Sequence, residues 1–371
     1  MKGGYWIWIM LIIAVVWLCI QGLVFLSRRT RRIGFVSRIY EKNKHLGRLV
    51  SLFPLAICLP FGLINGVTVL VVFIHLFVFW VMCDLIGFCI NKIRKRERGK
   101  HYINGFIAIG LTAIYLGIGW YFAHHIFRTD YTLHTDKPLG QESFRVALIA
   151  DTHIGEVLDS GGLADVVERI NADEPDIAAV CGDLVDDGTS ESEMKAACEA
   201  LGRLKTKYGV YYVYGNHDKG YNENRGYDAD DVARELEKNG VKVLADETEL
   251  INGSVYLVGR RDRSEETRSS AQDLTEKLDR SKYIIMLDHQ PNDQSAEAKS
   301  GADLVLSGHT HGGHIFPIGP ASVLFGANDQ VYGEKTRNGT DFIVTSGVSG
   351  WEIPFKTFAR SEYVIIDIEQ E

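Results

Sequence analysis

The chain has 371 residues, is 46% hydrophobic and 24% charged, and carries a formal net charge of -8. That average hides two unlike parts: residues 1–123 hold 15 Lys and Arg against three acidic residues, while the remainder holds 25 against 45. An acidic C-terminal part excludes nonspecific nucleic-acid binding, because phosphate backbones are drawn to positive surfaces. The six cysteines form no CxxC pair and show no disulfide framework; Cys181, at the end of an apolar run, is expected as a small buried thiol.

In chain order, the first element is an uncharged apolar run from Tyr5 to Leu26, long enough to cross a bilayer. It ends in "SRRTRR", not in a small-residue cleavage site, so it reads as a span and not as a signal peptide. The apolar stretch Leu49 to Ile90 is too long for one span and is interrupted at "LPFGLING", where Pro60, Gly62 and Asn65-Gly66 favour a turn. Four transmembrane helices are therefore expected, over about 5–26, 49–63, 67–90 and 103–121. The 27–48 loop holds eight Lys and Arg and the 91–102 loop holds six. Four spans put both loops on one side, cytoplasmic by the positive-inside rule, and place everything after about residue 124 outside. The expected location is thus a multi-pass cell-membrane protein with an extracytoplasmic domain. Asp84, within the third span, has two readings: part of an ion pathway, or a carboxylate reaching the interface beside Lys92.

Residues 124–143 are expected as a tether. From Phe144 short apolar runs alternate with amphipathic stretches: "FRVALIA", "DIAAVCG", "GVYYVYG", "YIIMLDHQP", "DLVLSGHTH", "DFIVTSG" and "YVIIDIE" read as strands. "LADVVERINA", "ESEMKAACEALGRL" and "DADDVARELEKNG" read as helices, and "ELINGSVYLVG" as a hairpin about an Asn-Gly turn. This alternation predicts an α/β domain over residues 144–371, its sheets buried under helices.

The polar residues stand at the strand ends. Asp151-Thr152-His153 follow the first strand, Gly182-Asp183 with Asp186 the second, and Gly215-Asn216-His217-Asp218 the third; His289 and Gly308-His309-Thr310-His311 follow two more. Ligands of α/β sheets gather beyond the carboxyl ends of strands, so these five ends are expected to converge. Two carboxylates (Asp151, Asp183), one amide (Asn216) and four imidazoles (His153, His289, His309, His311) suit two divalent first-row ions, Mn²⁺ or Fe before Zn²⁺ or Mg²⁺. A carboxylate such as Asp183 can bridge two ions held about 3.5–4 Å apart.

The series "DTH…GDLVD…GNHD…H…GHTHGGH" resembles the calcineurin-like metallophosphoesterase superfamily, and within it the bacterial, membrane-anchored branch with a "GHTHGG" final motif. The resemblance covers about residues 144–371, not the spans, and implies a four-layer α/β/β/α sandwich. It assigns Asp151, His153 and His311 to one metal, Asn216, His289 and His309 to the other, and Asp183 to the bridge. It makes His217 the group that protonates the leaving oxygen, oriented by Asp186. Asp218 is given no direct chemical role. Where the superfamily's protein phosphatases carry an arginine, this chain has Asp187, which argues against a protein substrate. Arg260, Arg261 and Arg263 either supply charge to a phosphate, with Arg261 the candidate, or are paired surface residues. His314 either faces substrate or lies on the surface, and Trp351 either borders the pocket or is simply buried.

The expected function is a membrane-anchored, dinuclear-metal phosphodiesterase whose partners are the bilayer and a membrane-associated phosphate ester. The alternatives are a pyrophosphatase of the UDP-2,3-diacylglucosamine type, which needs the reverse topology, and a non-catalytic metal-binding receptor. The complete ligand set argues against the receptor.

Overall fold

Four stretches of the N-terminal part are long and apolar enough to cross a membrane: Ile13–Thr30, Lys44–Leu63, Gly66–Ile93 and Asn104–His124. They belong to a computed structural model that describes residues 4–95, 102–220 and 225–371 and divides into two units, Met1–Gly117 and Ile118–Glu371. Residues 96–101 of the second basic loop lie outside the described residues.

The second span starts earlier than expected and is not one helix. It consists of helices Lys44–Val50 and Phe53–Cys58 and a 3-10 turn Leu59–Leu63. Pro54 and Pro60 each open a new segment, where the missing N–H breaks no hydrogen bond. Asn65 caps the following helix, its side chain accepting the Thr68 N–H at 2.7 Å. Asp84 is held by three side chains. Its Oδ1 accepts from Tyr102 O–H at 2.7 Å and Asn104 Nδ2–H at 3.0 Å, and its Oδ2 faces Arg29 Nε at 2.9 Å.

The second unit contains twelve strands: β1 (Phe127–Thr135), β2 (Ser143–Ile149), β3 (Ile177–Cys181), β4 (Val210–Val213), β5 (Val241–Val243), β6 (Glu247–Ile251), β7 (Val255–Gly259), β8 (Tyr283–Leu287), β9 (Leu304–Ser307), β10 (Gly333–Arg337), β11 (Thr340–Val344) and β12 (Glu362–Gln370). They make two six-stranded sheets, ordered β1-β12-β2-β3-β4-β5 and β10-β11-β9-β8-β7-β6. Strand periodicity sorts the apolar side chains into layers. Ala147, Ile149, Ala178 and Val180 pack on helices 160–171, 191–201 and 229–238. Their neighbours Val146, Leu148, Ala179 and Cys181 point the other way, onto Leu257, Ile285, Leu287 and Leu306 of the second sheet. Ile284, Met286 and Val305 then cover helices 271–275 and 294–300 through Ala271 and Ala298. The result is a four-layer α/β/β/α sandwich. A one-residue register slip in β2 would exchange the two sets, so the pairing is tightly specified.

The tether expectation fails over Phe127–Thr135. This stretch is β1, paired in parallel with β12 from Phe127↔Glu362 to Thr135↔Gln370. Along it only Leu133 is fully buried, as befits an edge strand, and that polarity hid its alternation.

Candidate metal centre

The ends of β2, β3 and β4 lie side by side because those strands pair in parallel, and the same holds for β8 and β9 in the opposing sheet. Just past these ends the backbone turns through the left-handed region: φ is +52° at Asp151, +39° at His153, +53° at Asp183, +69° at His309 and +48° at His311. Such strain persists only where the surroundings over-determine it, and it concentrates at functional sites. Two glycines make room: a Cβ at Gly308 would stand 2.6 Å from Asp151 Oδ2, and one at Gly215 would collide with Asp183 Oδ1.

The turns bring together Asp151, His153 and His311 as one group and Asp183, His289 and His309 as another, the candidate ligand atoms of each lying within 4.8 Å of one another. Asp183 joins the groups, its Oδ2 lying 3.0 Å from His289 Nε2 and 3.6 Å from His153 Nε2. Asn216 lines the cavity over the same centre.

Three of the imidazoles have a spoken-for Nδ1. Its N–H donates to Asp186 Oδ2 at 2.8 Å in His153, to the Cys181 carbonyl at 2.7 Å in His289, and to the Ser349 carbonyl at 3.2 Å in His311. Such bonds fix ring orientation and leave Nε2 as the coordinating atom. The Nε2 atom of His153 is buried without a hydrogen-bond partner. Burial opposes the charge on Asp183, yet His289 and His153 outweigh it and hold its carboxyl well below the usual range. Burial, reinforced by His289, lowers His309 to about 4, and burial with His153 drives His311 down as well. A buried carboxylate gathered with imidazoles and a second carboxylate is a donor set that fits two divalent ions.

Asp186 has a double role. The sequence paired it with His217, whose Nδ1 lies 3.3 Å from Oδ1, but its shorter bond goes to the candidate ligand His153. At His217 burial lowers the pKa, while Asp186 and Asp183 outweigh it and raise it. Asp218 proves to be a positioning residue that sequence reasoning missed. Its buried carboxylate accepts the backbone N–H groups of Asp183 (2.8 Å), Leu184 (2.9 Å), Val185 (3.2 Å) and Gly215 (2.7 Å), fixing the loop that presents Asp183. Lys356 was also missed: fully buried, it donates from Nζ to the Ser346 (2.6 Å) and Gly347 (3.3 Å) carbonyls behind Asp151. Burial pushes it down to about 7.

A cavity of about 720 Å³ opens over the centre. His314 lines it, its ring centroid 5.4 Å from that of His311, and Trp351 lines it 5.2 Å from His217. Glu156, Asp187 and Glu352 lie in the same wall. Arg261 corrects the sequence expectation. Its guanidinium is held by Glu265 Oε2 at 3.0 Å and by Asp246 Oδ2 at 3.7 Å, and it is not among the cavity-lining residues described. Arg260 is likewise committed, to Asp288 at 3.0 Å and Asp293 at 2.9 Å.

Residues 144–313 match the family model described as Calcineurin-like phosphoesterase. The chain is 30% identical over 312 residues to an uncharacterized metallophosphoesterase of Helicobacter pylori, covering 78% of this chain and 81% of the relative. It is 30% identical over 267 residues to an uncharacterized metallophosphoesterase of Aquifex aeolicus, covering 69% of this chain and 97% of the relative. A transmembrane protein with metallophosphoesterase domain from Danio rerio is 27% identical over 332 residues, covering 82% of this chain and 72% of that protein. Coverage of 78% and 82% exceeds what residues 118–371 supply, so the likeness to these relatives reaches into the membrane unit, contrary to the sequence expectation.

Proposed function

The chain belongs to the calcineurin-like phosphoesterase family, and from that premise we propose that it is a membrane-anchored phosphodiesterase acting on a lipid-linked or envelope phosphate ester at the outer membrane face. The observation that carries this reading is the Asp183 carboxylate, set between two imidazole Nε2 atoms whose rings are each anchored through Nδ1. Two divalent cations, when bound, supply charge that polarises the phosphoryl group and acidifies a water. Asp151, His153 and His311 would hold one and Asn216, His289 and His309 the other, with Asp183 shared. His217, at the cavity wall with its pKa raised, is placed to give a proton to the departing oxygen, and Asp186 orients its ring.

Preference for a diester follows from charge. Glu156, Asp187 and Glu352 line the cavity, and a singly charged diester meets less repulsion there than a doubly charged monoester. The outer location rests on the two basic loops. The full chain, reconstituted with Mn²⁺, is expected to hydrolyse bis-p-nitrophenyl phosphate faster than p-nitrophenyl phosphate, with both activities lost in Asp183→Ala and His217→Ala. No turnover from folded, metal-loaded protein would overturn the hydrolase. A C-terminal reporter active in the cytoplasm would overturn the location.

A further inference from the structure

Beside the cavity the second unit exposes large apolar side chains that its own fold does not cover. The short helix Ile318–Leu324 buries only Gly319, while Ile318 is 61%, Leu324 80% and Phe325 84% exposed. Phe316 and Phe358 extend this surface, their rings stacked 6.2 Å apart. A contiguous patch of this kind marks a surface that meets a partner or a membrane.

The backbone indicates which. The same unit includes the last turns of the fourth candidate span, from Ile118 to His124. Those turns are tied to the segment that carries Phe358: Lys356 N–H donates to the Gly119 carbonyl at 2.9 Å and Ser361 N–H to the Phe122 carbonyl at 2.9 Å. That segment is tied in turn to the patch, Thr357 N–H donating to the His314 carbonyl at 2.8 Å and Phe316 N–H to Thr357 Oγ1 at 3.0 Å. Trp120 and Tyr121 on these turns are about half exposed, the aromatic pattern of a span leaving the bilayer. Only His125 and Ile126 separate this helix from β1. A chain of hydrogen bonds therefore joins the patch to the end of the fourth candidate span.

We propose that residues 316–325 with Phe358 seat the catalytic unit in the headgroup boundary of its own bilayer, and that the substrate is a phosphodiester carried by a lipid. The inference deepens the phosphodiesterase reading and rests on it. Ile318, Gly319 and Ser322 line the metal-centre cavity, so the helix that meets lipid also walls the site. Hydrolysis there adds water across one P–O ester bond: the hydroxyl goes to phosphorus and the proton to the departing oxygen, leaving a phosphomonoester and an alcohol.

The test uses the full chain in nanodiscs of phosphatidylethanolamine and phosphatidylglycerol. A photo-cross-linking benzoylphenylalanine replaces Phe325 or, as a control on an exposed remote site, Arg203. Lipid adducts at position 325 and none at 203 are expected. In parallel, the double variant Leu324→Ser/Phe325→Ser is compared with the parent on soluble bis-p-nitrophenyl phosphate and on bilayer-embedded phosphatidyl-p-nitrophenol, which shares its leaving group. Unchanged soluble turnover with about a tenfold loss on the embedded diester is expected. Absence of lipid adducts, adducts to a second copy of the chain, or equal turnover of the embedded diester by both proteins would overturn the inference and leave the phosphodiesterase standing. No soluble turnover by the parent would overturn the phosphodiesterase, and this inference with it.

Discussion

Two polar clusters in this chain differ in the groups that meet their carboxylates. In the membrane unit the Asp84 carboxylate receives Tyr102, Asn104 and the Arg29 guanidinium, Trp80 Nε1–H donates to Tyr102 at 2.7 Å, and Arg32 lies over the Tyr102 ring. Its negative charge is answered from within the protein. At the strand ends the Asp183 Oδ2 lies 3.0 Å from His289 Nε2 and 3.6 Å from His153 Nε2, while its Oδ1 accepts the His217 backbone N–H at 2.8 Å. The cations differ as well: Arg29 faces a carboxylate, while Lys356, behind the strand-end cluster, faces two carbonyls. The first cluster joins side chains of three helices, Gly4–Thr30, Gly66–Ile93 and Asn104–His124; the second gathers imidazoles about a carboxylate, a donor set that fits divalent ions.

Substitutions in the two clusters test this contrast. The largest effect is expected at Asp183→Asn, which removes the shared charge: metal content measured by plasma mass spectrometry and diester turnover should both collapse. Chelation should do the same to the parent and lower its melting point, since a cation at a hundredfold excess over its Kd contributes about 2.7 kcal/mol to stability. His217→Gln should reduce turnover by about 10²–10⁴-fold while metal content is kept, the range of a lost general acid. Asp186→Asn should weaken metal binding by about 10–100-fold in a calorimetric titration, because His153 loses its orienting acceptor. Asp84→Ala should leave soluble-diester turnover untouched but cost about 1–3 kcal/mol in thermal unfolding, as donors lose a buried acceptor.

A further effect concerns pH. Lys356 falls to about 7 in the folded chain, whereas an unfolded lysine holds its proton to about 10.4. Between those values the unfolded state binds more protons, so stability should rise with pH there. Lys356→Met should flatten that rise in unfolding measured across the window.

The strand ends were legible because Asp, Asn and His rarely follow apolar runs in such a series, and the sheets were legible because β2, β3, β8 and β9 are almost wholly apolar. What stayed hidden is what depends on tertiary partners. Phe127–Thr135 and Gly333–Arg337 are edge strands with polar exteriors, so their alternation is faint. Ile318–Leu324 carries Gly319 and Pro320 in its first turn and reads as a loop. Asp218 looks like a turn residue until four amides from two strand ends meet its carboxylate. Nor does the sequence around Arg261 reveal that Asp246, far back in the chain, would hold it.

The left-handed backbone at Asp151, His153, Asp183, His309 and His311 has a consequence for how the site can vary. Asp, Asn and His are the side-chain-bearing residues that most readily adopt this conformation, and they are also metal ligands. The vocabulary of coordination and that of the turn therefore overlap at each of these positions. A β-branched replacement would be rejected by the main chain before its lack of a lone pair mattered, whereas an exchange among Asp, Asn and His would keep the turn while changing the donor. Inherited drift at these positions should thus stay within three letters, costing the ion before it costs the fold of the loop.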